Sequence, residues 1–434
     1  MSSATANARA FGPLSTAQPN DGAALWLLGA FMLLCLVQFS NAWYWPVRPE
    51  FGDLAAPRFE KVYGVPFQYA MWCLISLAVG LHLLRTGAAR LLDVLLPWAP
   101  FWLLGVVAGL LGFDPSASLR YSVFWLAMAS SAVVAGSALS PQRSLDALRG
   151  SLVIILAASI LVALLLPKAG TQLYGTAHVW SGVFVSKNQL GWVAALALVL
   201  GVQGVLQRSS TTLSGWLLLL ALACLAGAQS KGSFVAAAAG VGYLLLLAGL
   251  AKRFTEGLSA MLAVGLALCS LVFVKLVMPM VLDVLGRDAT LTGRTDIWDV
   301  YFGAMLKTPW LGQGPGAFTG TSPITEKLAR MLSDLGGIYT PHNMFLGAFG
   351  DAGVLGLAAF CGALLWIGVV VPIRHGTLLS KALAGICVVT VVGGMVEAHE
   401  VYSAGVGGFL LVVVHAIVIR QHRNPTAPER AARP

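Results

Sequence analysis

Gly232-Ser-Phe-Val-Ala-Ala-Ala-Ala-Gly-Val-Gly-Tyr-Leu-Leu-Leu-Leu-Ala-Gly-Leu250 runs nineteen residues without a charge. As a helix it is about 28 Å long, close to the ~30 Å hydrocarbon core of a bilayer. Lys231 stands before it and Lys252 and Arg253 after it. On its N-terminal side only Gln229, Ser230 and Lys231 part it from a second apolar run over 212–229. Runs of the same kind recur at 23–43, 66–84, 92–112, 120–139, 147–166, 189–207, 257–278, 344–371, 378–396 and 400–420. Twelve spans in all predict an all-α polytopic membrane protein.

Composition agrees. Of the 434 residues, 58% are hydrophobic and only 10% charged, and the mean hydropathy is +0.81. A soluble domain carries about a quarter charged residues, so no single aqueous core can hide this much apolar surface. The first span lacks a signal-peptide pattern: one Arg (Arg9) precedes it, it is too long for such a segment, and no small-x-small site follows. It is expected to be retained. The six cysteines (Cys35, Cys73, Cys224, Cys269, Cys361, Cys387) all fall inside spans. They read as packing residues, and without a CxxC pair neither a zinc site nor a disulfide framework is supported.

Lysine and arginine bias sets the orientation. With the N-terminus in the cytoplasm, fourteen of the 27 basic and five of the 18 acidic residues fall inside, so the whole net charge of +9 lies on that side. The basic balance thus reflects topology and argues little for nucleic acid. The expected plan is a disordered tail (1–22), nine spans (23–278), one large loop (279–342), three spans (343–420) and a second tail (421–434). Cytoplasmic connections are too short for a catalytic domain. The chemistry is expected on the outer side, chiefly in the partly helical loop 279–342. Spacings of four and three residues place Ile297, Tyr301 and Ala304 on one face of a helix from Arg294 to Lys307, capped by Thr292 or Thr295 and ended by Pro309. The glycines in Gly312-Gln-Gly-Pro-Gly316 read equally as a tight turn or an anion-binding nest. Pro341 is expected in the first turn of the next helix.

Four segments resemble the O-antigen ligase family and the related polysaccharide polymerases. They are Ser181-Gly-Val-Phe-Val-Ser-Lys-Asn-Gln-Leu-Gly191; Ser230-Lys-Gly-Ser233; Gly293-Arg-Thr-Asp-Ile-Trp298 through Pro309-Trp-Leu-Gly-Gln-Gly-Pro-Gly316; and Pro341-His-Asn-Met-Phe-Leu346 with Gly353-Val-Leu-Gly356. The resemblance implies a membrane glycosyltransferase with a GT-C-like plan in the bacterial inner membrane. It would move a glycan from undecaprenyl pyrophosphate to lipid A–core on the periplasmic face, inverting, without metal or other cofactor. A polymerase of the same superfamily, extending a carrier-linked glycan, is the alternative.

Carried onto this sequence, the family's functional residues fall on Arg294 and His342. The third position holds Lys231 where the family has arginine. Lysine keeps the charge and loses the bidentate fork that fits phosphate. Either Lys231 acts as a point charge, or Lys187 or Arg287 shares the task. Asn188, Asn343 and Arg120 are supporting candidates. Each has a plain structural reading beside it. Arg294 can pair with Asp296 or Asp299, Lys231 can mark a hairpin tip, and Lys187 with Asn188 can be a snorkelling lysine and a helix cap. His342 can anchor the interface, as can Arg120. His399 with Glu397 and Glu400 is a weak metal corner. A transporter is the reading from another class. Against it, the spans hold few ionisable residues (His82, Lys275 and His415, near their ends), whereas transporters bind at the midplane between broken helices.

Overall fold

The computed structural model describes residues 21–42, 66–174, 176–266, 294–319, 322–333, 339–395 and 401–423. Its helices are α1 (Asp21–Phe39), α2 (Pro66–Thr86), α3 (Ala89–Leu95), α4 (Ala99–Leu111), α5 (Pro115–Ser137), α6 (Pro141–Leu165), α7 (Lys187–Gln207), α8 (Thr211–Ala228), α9 (Lys231–Leu250) and α10, described over Glu256–Leu266. After these come α11 (Arg294–Met305), α12 (Pro323–Met331), α13 (Met344–Leu365, continued to His375), α14 (Leu378–Gly394) and α15 (Val406–Arg423). Among the described residues, ten helices or continuous helix pairs are long and apolar enough to cross a membrane. Two shorter apolar helices, α10 and α14, occupy the other two expected stretches. The chain is an all-α polytopic membrane protein. A small hairpin, β1 (Thr171–Tyr174) and β2 (Ala177–Trp180), pairs antiparallel between α6 and α7.

Lipid offers no hydrophobic drive between helices, so they pack through small residues that let backbones approach. At the crossing of α9 and α14, a Cβ on Gly240 would stand 2.7 Å from the Gly385 carbonyl, and the reverse holds for Gly385. The charged residues sorted to the cytoplasmic side gather at one end of the bundle. Arg423 pairs with Asp93 at 2.7 Å and Lys381 with Glu256 at 2.8 Å. Arg149 is wholly buried there. It bonds Gln203 and reaches Asp146 at 3.4 Å, and Asp146 also accepts from the Ser210 hydroxyl. A buried guanidinium needs such partners.

Hydropathy reads α13 as one span, but the structure breaks it. Ala352 and Gly353 leave helical geometry, with Gly353 at φ +65°. The rings of Phe345 and Phe360 stand 6.1 Å apart, whereas fifteen residues of straight helix cover about 22 Å. The half-helix Met344–Asp351 therefore folds back along the rest of α13. Peptide groups freed by such a break must bond elsewhere when no water is near. Residues 309–314 supply the partners. Gln313 and Gly314 N–H donate to the Gly350 and Asp351 carbonyls, both at 2.9 Å. Val354 and Leu355 N–H donate to the Pro309 and Trp310 carbonyls at 2.8 and 3.4 Å. Gln313 also accepts from Phe113 N–H at the end of α4.

This settles the glycine cluster as a structural turn. Gly312 takes φ +70° and its Cβ would lie 2.5 Å from the Gly350 carbonyl. Several sequence expectations need correction. The Arg294 helix stops at Met305, before Pro309, and buries Ile297, Tyr301 and Met305, with Ala304 at the margin. Thr295 lies inside that helix, and Thr292 is outside the described residues. Pro341 precedes the cap of α13 rather than lying in its first turn, because Asn343 takes the cap. Asp351, buried in α13, is an ionisable residue that the reading of the spans passed over. With the broken helix it removes two of the arguments set against a transporter.

Gly353 is required for this arrangement, since a Cβ there would stand 2.2 Å from the Trp310 carbonyl carbon. Gly353→Ala is expected to lower the thermal unfolding midpoint in detergent, with about 1–3 kcal/mol from backbone strain alone. Gly362→Ala, in the regular part of α13 with open space around it, is expected to be neutral or slightly stabilising. Equal midpoints for the two variants would contradict the break.

Candidate functional site

The outer end of the bundle is recessed above α14 and α15. Gly408, near the start of α15, packs on Met128, which lies thirteen residues into α5. At helical rise α15 thus begins about 20 Å below the outer end of α5. Trp192 of α7 packs on Gly393 and Gly407, and Met344 packs on Gly394. The start of the broken α13 therefore stands at the base of this recess. Lys231 is level with it: from the Gly240–Gly385 crossing, nine residues lead up α9 to Lys231 and nine lead up the antiparallel α14 to Gly394.

Each candidate side chain is placed by a local cap. Ser186 caps α7 by accepting from Gln189 N–H, which makes Lys187 the first helical residue. Lys187 is mostly buried, and its own N–H donates to Gln172 Oε1 of β1 at 3.2 Å. The expected cap at Asn188 is thus taken by Ser186. Ser230 precedes Lys231 and its hydroxyl bonds Ser233 at 2.9 Å. A Cβ on Gly191 would meet both serines, so the Lys187 and Lys231 helix ends lie side by side. Asn343 caps the half-helix, its Oδ1 accepting from Phe345 and Leu346 N–H, and its Nδ2 donates to the Met395 carbonyl at 3.4 Å.

His342 adopts φ +45°, an uncommon conformation for a residue with a side chain. Its Nδ1 is buried and finds no hydrogen-bond partner among the described residues. Burial first, and the Arg294 charge second, hold its pKa below the usual 6.5. Arg294 opens α11, and its effect on His342 brings the two together across a long stretch of chain. A tethering core fixes α11: Ile297, Tyr301 and Met305 pack with Ala317, Phe318, Leu328 and Phe349, the last from the half-helix.

The structure thus brings His342 near Arg294, and the helix end at Lys187 beside the helix end at Lys231. Arg120 stands apart, exposed in the second turn of α5 near the rim. Its charge acts on Asp114, whose carboxyl is lowered first by bonds from Ala117 N–H and the Ser116 hydroxyl, then by Arg120. It does not open the span, since Asp114 caps α5 and Pro115 starts it. Arg287, Glu397, His399 and Glu400 lie outside the described residues. Trp98 is buried among Phe101, Trp125 and Phe360. Asp351 is the residue that sequence reasoning missed. A lone acid in an apolar run is itself a signal of function.

The four quoted motif segments meet in pairs. Gly191 of the first touches the serines of the second. The third, over 309–314, bonds the break ahead of Gly353-Val-Leu-Gly356 in the fourth. Comparison with known proteins bears on the same residues. Residues 216–361 match the O-Antigen ligase family. The resemblance read from the motifs therefore holds. That match includes Lys231, Arg294 and His342, and leaves Lys187 outside it. The chain is also 27% identical over 413 residues to the exopolysaccharide production protein ExoQ of Rhizobium meliloti (strain 1021), covering 84% of this chain and 90% of that protein. The chain is thus similar to the O-antigen ligase family over its central third and to a protein of exopolysaccharide production over most of its length.

The direction of the His342 shift gives a pH prediction. A lowered pKa keeps the imidazole neutral to a lower pH, so its reaction with diethylpyrocarbonate should fall off only below pH 6.5. Mass spectrometry of the His342 peptide reads this site alone. In Arg294→Gln one of the two causes is gone and the midpoint should rise. A midpoint unmoved by that change would separate the two residues.

Proposed function

We propose that this protein is an O-antigen ligase. It transfers a glycan from undecaprenyl pyrophosphate to lipid A–core on the periplasmic face of the bacterial inner membrane, with inversion and without a metal. The observation that carries the reading is the pairing of His342 with Arg294 at the N-terminal end of a half-helix, at the base of a recess. Half-helix N-termini suit anionic groups within a membrane.

In this mechanism His342 takes the proton from the acceptor hydroxyl as that oxygen attacks the anomeric carbon. The bond from that carbon to the pyrophosphate oxygen breaks, and the electron pair leaves with the lipid pyrophosphate. A neutral imidazole is the competent form, and burial with the Arg294 charge favours it. Arg294, Lys231 and Lys187 hold the charge that builds on the leaving group, the work of fixed donors in a dry site. Asn343 keeps His342 in place by capping the helix that follows.

A polymerase is the second reading, favoured by the exopolysaccharide production role in the name of the relative from Rhizobium meliloti. Its acceptor would be another carrier-linked glycan in the same recess, with the same roles for His342 and Arg294.

Purified protein incubated with lipid-linked glycan, with and without lipid A–core and in the presence of chelator, distinguishes these. Transfer to the core that survives chelator is expected. Elongation of carrier-linked glycan without core would establish the polymerase instead, and activity lost only with chelator would overturn the metal-free route. His342→Ala and Arg294→Ala are each expected to reduce transfer by about 10²-fold or more, with folding and insertion retained. Lys231→Arg should keep more activity than Lys231→Ala. Identical rates for the two would make Lys231 a bystander.

A further inference from the structure

The pairs His342–Arg294 and Lys187–Lys231 come from different parts of the chain, and the second turn of α7 touches the supports of both. Gly191 faces α9. A Cβ there would stand 2.7 Å from the Ser233 hydroxyl and 3.1 Å from the Ser230 Cβ, and Lys231 follows Ser230 directly. Lys187 lies four residues before Gly191, on the same flank of α7. Trp192 meets a different neighbour, since successive helix residues are turned by about 100°. Its side chain is enclosed, with the residue only 2% exposed.

The indole of Trp192 bridges two helix ends. Gly393, at the end of α14, lies against its six-membered ring. Gly407, at the start of α15, lies against its pyrrole edge, where a Cβ would stand 2.7 Å from Nε1. Neither glycine has room for a Cβ beside the indole. The residues after Gly393 support the segment that carries His342. A Cβ on Gly394 would stand 2.9 Å from the Met344 Cβ, and the Met395 carbonyl accepts from the Asn343 side chain at 3.4 Å. Gly393, Gly394 and Met395 thus bear in turn on Trp192, Met344 and Asn343, and His342 immediately precedes Asn343. A chain of contacts therefore runs from Lys231 to His342, with Gly191 and Trp192 as its middle links.

We infer that Trp192 is a positioning residue: by bearing on Gly393 it sets how far His342 stands from Lys187 and Lys231. The purpose of that spacing rests on the glycosyl-transfer reading; the spacing itself does not. In that reaction the imidazole acts on the acceptor hydroxyl while the cations act on the leaving pyrophosphate. These are opposite ends of one displacement, so their separation governs the rate once donor is bound. A misplacement of about 1 Å can cost about 10²-fold. Trp192 itself, being enclosed, acts through Gly393 and not on substrate.

Modification of His342 by diethylpyrocarbonate tests this in the full chain, without donor or acceptor, at a pH above the His342 midpoint. Trp192→Ala is expected to raise the rate several-fold, because Gly393 loses its backing and His342 its burial. Gly393→Ala, which drives a methyl group into the indole, should raise it as well. The double variant should return toward the wild-type rate, since the methyl group then takes space the indole has left. Trp192→Phe, which keeps a ring in place, should lie nearer wild type than Trp192→Ala. Trp192→Leu replaces Trp192→Ala if the latter fails to elute as native protein on gel filtration. Lower melting midpoints with an unchanged His342 rate would overturn the inference in favour of a packing role. Strictly additive effects of the two substitutions on that rate would overturn it too. In the transfer assay, Trp192→Ala should lower kcat about tenfold or more, with KM for the lipid-linked donor within about twofold. A raised KM at unchanged kcat would contradict positioning. If the wild-type protein transfers no glycan while the His342 rates follow the expected pattern, the glycosyl-transfer reading fails and the spacing role of Trp192 stands.

Discussion

A peptide group in hydrocarbon has no water to fall back on, and this constraint shapes the outer half of the molecule. A break inside a membrane-spanning helix leaves carbonyls and N–H groups open at a cost of several kcal/mol each. Here residues 309–314 close them with four backbone bonds. Once they are closed, the first two turns of α13 are free to fold back, and His342 can stand at the base of a recess. The loop between α10 and α13 is thus a structural part of α13 before it is anything else. The same four bonds tie α11 to the bundle. They therefore set where Arg294 lies relative to His342.

The architecture was legible because length and charge are one-dimensional properties. An apolar run of about 20 residues has few alternatives to crossing the bilayer, and the Lys and Arg bias falls at the end where Arg423 meets Asp93 and Lys381 meets Glu256. The break in α13 was hidden for the same reason. Ala352 and Gly353 are as apolar as their neighbours, so hydropathy runs straight through them, and only the partner strand from a distant loop makes the kink possible. The cap at Asn343 was similarly obscured by Pro341, a stronger local signal two residues earlier. For the proposed site, the residue types were readable from the motifs, while their pairing was not. Nothing in the spacing of Lys187 and Lys231 says that Gly191 brings their helix ends together.

The two ends of the bundle hold charge in different ways. At the end assigned to the cytoplasm, cations are matched by acids: Arg423 by Asp93, Lys381 by Glu256, Arg149 by Asp146. At the recess, the cations lie on the first residues of helices, where the backbone dipoles add to their charge instead of cancelling it. Positive potential of this kind suits a site whose ligand brings negative charge, as the proposed donor does. The hairpin of β1 and β2 stiffens this arrangement, since Gln172 accepts from the Lys187 N–H and Trp180 packs onto Gly227 at the end of α8, four residues before Lys231.

The partners that seal the break in α13 also have an order in time. Proteins are made from the N-terminus, at about 5–20 residues per second. The end of α4 is synthesised before Gln313, which donates to Gly350 and accepts from Phe113. Pro309 to Gly314 are in turn synthesised before Gly350 to Leu355. When the kinked helix leaves the ribosome, the groups that bond its break have already been synthesised. The broken form of α13 therefore does not wait for a later part of the chain to supply those bonds.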